Sequence, residues 1–181
     1  MSNDTIISGG RQLDEFLKTL SPNVEKKIMR GALAAGVRVI AKEAKQRAPS
    51  GPTSSTNEAL YGGYDGALRD SVRVTTGVTK SGVVYASVKA GGRTKKGADV
   101  FYAHIVEFGA RPHVIRPRRK KSLQLGGHFV AGTVMHPGMT GNPFMLPAAD
   151  ATRSSAVAAV AAKIRERLAK LGINAPLPAD E

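Results

Sequence analysis

Cysteine is absent from the 181-residue chain, so a disulfide scaffold, a thiolate metal site and a cysteine nucleophile are all excluded. Tryptophan is absent too, and five Phe and four Tyr are few for this length. The core must therefore be modest and built from small and β-branched side chains. No apolar run approaches the roughly 18 residues of a membrane span. Residues 1–10 lack a charged stretch followed by an apolar one, so no secretory signal is expected there. Acidic residues are scarce, and few lie near one another outside the expected helices. Neither an acid/base carboxylate pair nor a two-metal nuclease cluster is suggested. No serine sits in a nucleophile elbow, and Gly91–Gly97 (GGRTKKG) lacks P-loop spacing. The four histidines are His104, His113, His128 and His136. His104 and Glu107 would share a helix face, but there is no HExxH motif and no further ligand at a diagnostic spacing. The expectation is a protein without catalytic residues, metal or cofactor.

What is present is positive charge. Lys and Arg number 27 against 14 Asp and Glu, for a formal net charge of +13. Such an excess points to a polyanionic neighbour, an acidic protein partner or a solvated face. Between Lys89 and Lys121 ten Lys/Arg are opposed by Asp99 and Glu107 alone. Glycines and prolines place these charges on two loops, 91–98 and 111–121. Arg93, Lys95, Lys96, Arg116, Arg118, Arg119, Lys120 and Lys121 are the candidates for facing DNA. Too few aromatics lie nearby for a base-stacking platform, and no recognition-helix signature is present. Backbone contact without base reading is the most these residues imply.

Element signals alternate along the chain. Gln12 to Leu20 can form a short helix. Ser21-Pro22 is an N-cap with proline at the first helical position, and Ala48-Pro49 is a stop, which predicts a helix over Pro22–Arg47. Leu33, Val37, Ile40 and Ala44 fall on one face of it. Gly31 and Gly36 either allow another backbone to approach or are merely tolerated. Residues 49–66 read as a long loop. Ser71–Thr76 and Gly82–Ala90 read as a hairpin, and Ser122–Leu125 with Phe129–Met135 as a second one across Gly126-Gly127. Val100–Phe108 fits a short helix or a strand equally. His136–Pro147 reads as extended and irregular. A last helix over Pro147–Leu171 presents Val157, Val160, Ala161, Ile164, Leu168 and Leu171 as one stripe. The fold class is α+β: a small, mostly antiparallel sheet packed by the long N-terminal-half helix and the C-terminal helix. One domain over 1–175 is expected, followed by a Pro-rich acidic tail at 176–181.

Four short segments recur in a recognisable order. They are Gly66-Ala67-Leu68-Arg69-Asp70-Ser71-Val72, Tyr102-Ala103-His104-Ile105-Val106-Glu107-Phe108-Gly109, His136-Pro137-Gly138 and Asn142-Pro143-Phe144-Met145-Leu146-Pro147-Ala148. With a basic helix before them and another helix after them, they resemble the head–tail joining, or tail-completion, family of long-tailed phages and prophages. The likeness spans roughly residues 10–171. It implies a structural virion protein of the neck, assembled as a ring, commonly hexameric, that completes the tail and joins it to the head connector. Its partners would be copies of itself, the connector or stopper ring, the tail terminator or tube protein, and double-stranded DNA passing non-specifically through the lumen. It would be made in the host cytoplasm, with no membrane involved. Gly66, Leu68, Tyr102, Glu107, Gly109, His136, Pro137, Gly138, Pro143, Phe144 and Pro147 would be the structural motif positions. Gly66 and Gly109 would serve tight turns, and Pro143 and Pro147 would stiffen the start of the last helix. Glu107, among apolar neighbours, would be partly buried against an arginine of its own or the next subunit, or else would lie at an exposed edge. The competing functions are a sequence-independent DNA-binding accessory protein, a tail terminator or minor tail protein, and a nucleic-acid hydrolase.

Overall fold

The computed structural model describes residues 15, 18, 20–51, 55–117, 122–125 and 128–172. The short helix expected over 12–20 and the tail 176–181 lie largely or wholly outside these residues. The architecture is α+β, and among the described residues every strand pairing is antiparallel. The chain divides into two compact units: 1–46, 72–89 and 148–181 form the first, and 47–71 and 90–147 the second.

In the first unit, helix α1 (Pro22–Arg47) begins and ends at the punctuation read from the sequence. Strands β1 (Arg73–Val78) and β2 (Val84–Lys89) form a hairpin, with Arg73 opposite Lys89 and Val78 opposite Val84. Its turn closes through the Thr79 hydroxyl, which accepts from the Val83 N–H at 3.0 Å. The last helix, Met145–Ala169, is numbered α5 below and runs through this unit from Ala148. Ile28 and Ala32 of α1 pack against Ile164 and Leu168, with Leu20, Val24, Met29 and Val160 around them. Burying each large aliphatic side chain here is worth about 1.5–3 kcal/mol.

The deepest line on α1 differs from the expected one. Ile28, Ala32, Ala34, Gly36, Ala41 and Ala44 are buried, whereas Leu33, Val37 and Ile40 are only half-buried. The reason is close helix packing. A Cβ at Gly36 would lie 2.6 Å from Val160 Cγ2 and 2.9 Å from the Ala156 carbonyl oxygen. Small residues thus line the closest approach at Gly36, while Ile28 packs against Ile164 and Leu168. On α5 the same geometry buries Ala148, Ala156, Ile164 and Leu168, leaving Val157 and Leu171 of the expected stripe exposed.

In the second unit, helix α2 (Ser55–Tyr61) interrupts the stretch expected to be one long loop over 49–66. Asn57-Glu58-Ala59-Leu60 favours a helix, and Gly62, at φ +63°, ends it. Helix α3 (Ala67–Ser71) follows. Strands β3 (Gly92–Arg93) and β4 (Asp99–Val100) bracket the first basic turn. The ambiguous Val100–Phe108 run resolves into the end of β4 and helix α4 (Ala103–Phe108).

The expected second hairpin is divided. Strands β6 (Ser122–Leu125) and β7 (His128–Ala131) pair as foreseen. Gly132, at φ +83°, breaks the run, and β8 (Val134–His136) pairs instead with β5 (His113–Ile115). The second basic loop therefore contains a strand. Pro112 and Pro117 bracket it, at strand ends where a missing N–H is tolerated. Among the described residues the strands form four separate two-stranded ribbons rather than one sheet.

Candidate functional site

The motif segments meet at Glu107. Its side chain is 7 % exposed. One carboxylate oxygen accepts the N–H groups of Phe144 at 2.8 Å and Met145 at 3.0 Å, and the other accepts that of Leu146 at 3.0 Å. A helix leaves its first four N–H groups without internal acceptors. For α5 these belong to residues 144–147. Glu107 satisfies three, and Pro147 has no N–H to satisfy. Burial pushes this carboxyl upward, but the three N–H donors outweigh it and hold it below the ordinary glutamate value of 4.5. The partner of Glu107 is thus the start of a helix rather than the expected arginine, and the exposed-edge alternative is overturned.

The surrounding motif residues zip two segments together. Ala110 and Met139 exchange backbone hydrogen bonds of 2.8 Å in both directions, and Asn142 N–H donates to the Val106 carbonyl at 2.7 Å. Gly109 ends α4 at φ +75° and donates to the Ile105 carbonyl at 2.7 Å. A side chain at Gly109 would run into the Met139 carbonyl, and one at Gly138 (φ +87°) would sit 2.5 Å from the Ala110 carbonyl. These two glycines are what bring the strands of chain so close. Phe144 is buried, while Pro137 and Pro143 are exposed. The His136 ring accepts from the Gly138 N–H at 3.0 Å and stacks on His113, with centroids 5.0 Å apart. Tyr102 starts α4, its carbonyl accepting from Ile105 and Val106, and burial followed by the nearby Tyr64 pushes its phenol pKa upward.

The first motif is wired to the first basic turn. Leu68 is buried, and Gly66 adopts φ +84° while its carbonyl accepts from the Asp70 N–H at 2.9 Å. The Ser71 hydroxyl donates to the Leu68 carbonyl at 2.6 Å and accepts from the Gly91 N–H at 2.9 Å. Asp70 accepts from the Tyr64 hydroxyl at 3.0 Å and pairs with Lys96 at 3.3 Å, and Lys96 also lies over the Tyr64 ring. The Tyr64 hydroxyl, with Lys96 and Arg69, holds the Asp70 carboxyl below its usual range against a modest effect of burial. Ser71, Asp70 and Tyr64 were not singled out from the sequence as contacts of the basic turn. Their signal was membership of the Gly66–Val72 segment and its neighbour.

The basic candidates are therefore unequal. Lys96 has an internal carboxylate partner. Arg93 donates through Nε to the Gly97 carbonyl at 3.3 Å and lines an open cavity of about 420 Å³ with Asp99, Leu60 and Tyr61. Lys95 and Arg116 are exposed. Arg118, Arg119, Lys120 and Lys121 lie outside the described residues. Among the described residues no three His, Asp or Glu side chains gather as a metal site would require, and no helix is long and apolar enough to cross a membrane.

The chain is thus an α+β protein with ordered motif junctions, cationic turns and exposed apolar side chains. Comparison with protein families matches residues 11–109, just over half of the chain, to the family described as "Bacteriophage HK97-gp10, putative tail-component". The chain belongs to this HK97 gp10-like family and is a structural component of the phage tail, hence of the virion. No significant match was found among curated proteins or among solved structures. The family match contains the motifs at 66–72 and 102–109. The motifs at 136–138 and 142–148, to which Glu107 binds, lie beyond it.

Proposed function

We propose that this tail component acts at the neck, as a ring of identical subunits that completes the tail and joins it to the head connector. In this reading it works without catalysis, and DNA passes through the lumen. The carrying observation is Phe108, which is 83 % exposed although it sits inside the family motif and beside the buried Glu107. Leu146, at the start of α5, is exposed as well. Large apolar side chains held outward on a hydrogen-bonded junction fit contacts with neighbouring copies. Arg93, Lys95, Arg116 and residues 118–121 would then face the lumen, with Lys96 contributing less because Asp70 offsets it. Residues 1–175 are taken as one folding domain. Particles made without this chain are expected to accumulate as separate heads and tails, and electron microscopy of intact particles should place it at the neck. Normally joined particles in its absence would overturn the reading.

A further inference from the structure

The first unit holds a second concentration of positive charge, on residues other than those of the basic turns. Lys26, Lys27 and Arg30 of α1 and Arg167 of α5 line an open groove of about 410 Å³, together with Asn23 and Thr76. Arg30 lies about one turn after both Lys26 and Lys27 on α1, at the i+4 and i+3 positions. Arg167 is fixed in place: its Nη1 donates to the Lys27 carbonyl at 2.8 Å, and its guanidinium lies over Gly31, where a Cβ would collide with it. Arg30 reaches the Thr76 hydroxyl at 3.5 Å. Among the described residues no carboxylate lines the groove. Glu166, beside Arg167 in sequence, is held by Lys163 at 2.6 Å and Lys170 at 2.8 Å. Four cations brought together without a counter-charge repel one another, and their arrangement is stabilised by an anion that enters the groove.

We propose that this groove is a phosphate-binding cleft that takes the backbone of double-stranded DNA. A polynucleotide carries an anion at every residue, which matches cations packed this closely. A polypeptide would have to be acidic at nearly every position to do the same. Two guanidinium forks suit phosphate oxygens, and the Asn23 amide and Thr76 hydroxyl add neutral donors. The groove is open, so it admits a strand passing across it rather than enclosing a small ion. The proposal does not depend on ring formation or on the 91–98 and 111–121 turns.

The test is fluorescence anisotropy of a labelled mixed-sequence DNA duplex with the full chain, titrated at several salt concentrations. Each phosphate contact removed lowers the slope of log affinity against log salt by about 0.9. The double variant Lys27→Gln/Arg30→Gln is expected to lose about 1.8 from the slope, reducing the affinity change between 50 and 200 mM salt by about 12-fold. Lys27→Arg is expected to bind as the parent does. Lys95→Gln is measured in parallel, so that loss at the turns is separated from loss at the groove. If the double variant fails to fold by circular dichroism, Lys27→Gln alone is expected to lose about 0.9. Unchanged affinity and slope in the folded groove variants would overturn the proposal. So would polyglutamate displacing the duplex at equal charge concentration, which would make the groove a seat for an acidic protein segment. Normally joined particles made without the chain, together with the groove-dependent slope, would sink the neck reading and leave this one standing.

Discussion

Glu107 supplies, from 37 residues upstream of Phe144, the acceptors that the start of α5 lacks. Glu107→Ala is expected to cost about 2–3 kcal/mol, because it strands several N–H donors at a partly buried helix start. Urea denaturation checks this, and Glu107→Gln should lose less, since its amide oxygen still accepts. The pH dependence has a definite sign. The folded carboxyl lies below 4.5, so the unfolded chain binds its proton more readily. The stabilisation is complete above 4.5 and is lost as pH falls through the folded value. Melting temperature should therefore drop as acid is added below 4.5, and this part of the drop should shrink in Glu107→Gln. At Ser71 one hydroxyl both donates and accepts in a buried setting. Ser71→Ala leaves the Gly91 N–H without that acceptor and is expected to destabilise by about 1–3 kcal/mol in the same assay.

Among the elements, the contact between α1 and α5 is the most constrained. Alanine is ordinarily the better helix former than glycine, by about 1 kcal/mol. At Gly36 the sign should reverse, because the added methyl meets Val160 and the Ala156 carbonyl. Gly36→Ala is expected to cost about 1–3 kcal/mol by overpacking, and Val160→Ala to relieve part of it when combined. Chemical denaturation of the two single variants and the double variant measures that coupling. The bounds of α1 were legible because their signals are local: Ser21-Pro22 at one end and Ala48-Pro49 at the other. Its packing face was not, since hydrophobic periodicity weighs large side chains and the close contact selects small ones. The start of α5 was read two residues late because its cap comes from Glu107, far away in sequence. Residues 55–61 were hidden by the glycine, proline and serine around them. The pairing of Val134–His136 with His113–Ile115 escaped for a related reason: Gly132 redirects the strand to a partner beyond the adjacent hairpin.

For the whole molecule, charge and periodicity indicated a basic α+β protein near a polyanion, and the ordered motifs indicated the phage neck, of which the family match bears out the tail component. The basicity divides between turns, where Asp70 offsets Lys96, and the groove of α1 and α5. Neither was separable by counting, because the offsetting partner is 26 positions from Lys96 and the two sides of the groove are 137 positions apart, from Arg30 to Arg167. The exposed Phe108 and Leu146 bear on assembly rather than on the stability of one chain. Phe108→Ser is expected to leave thermal stability within about 0.5 kcal/mol, as surface changes do, while reducing ring formation. Native mass spectrometry of parent and variant, with a melt on each, checks both halves.

The Glu107 clamp also has a kinetic side. Closing a loop of this length costs about 3 kcal/mol of chain entropy before its three hydrogen bonds form. A contact so distant in sequence belongs to the late part of folding, after the helices and the 73–89 hairpin have local structure. Changes at Glu107 should then quicken unfolding far more than they slow folding. The residue would set how long a tail subunit keeps its shape while it waits for its neighbours.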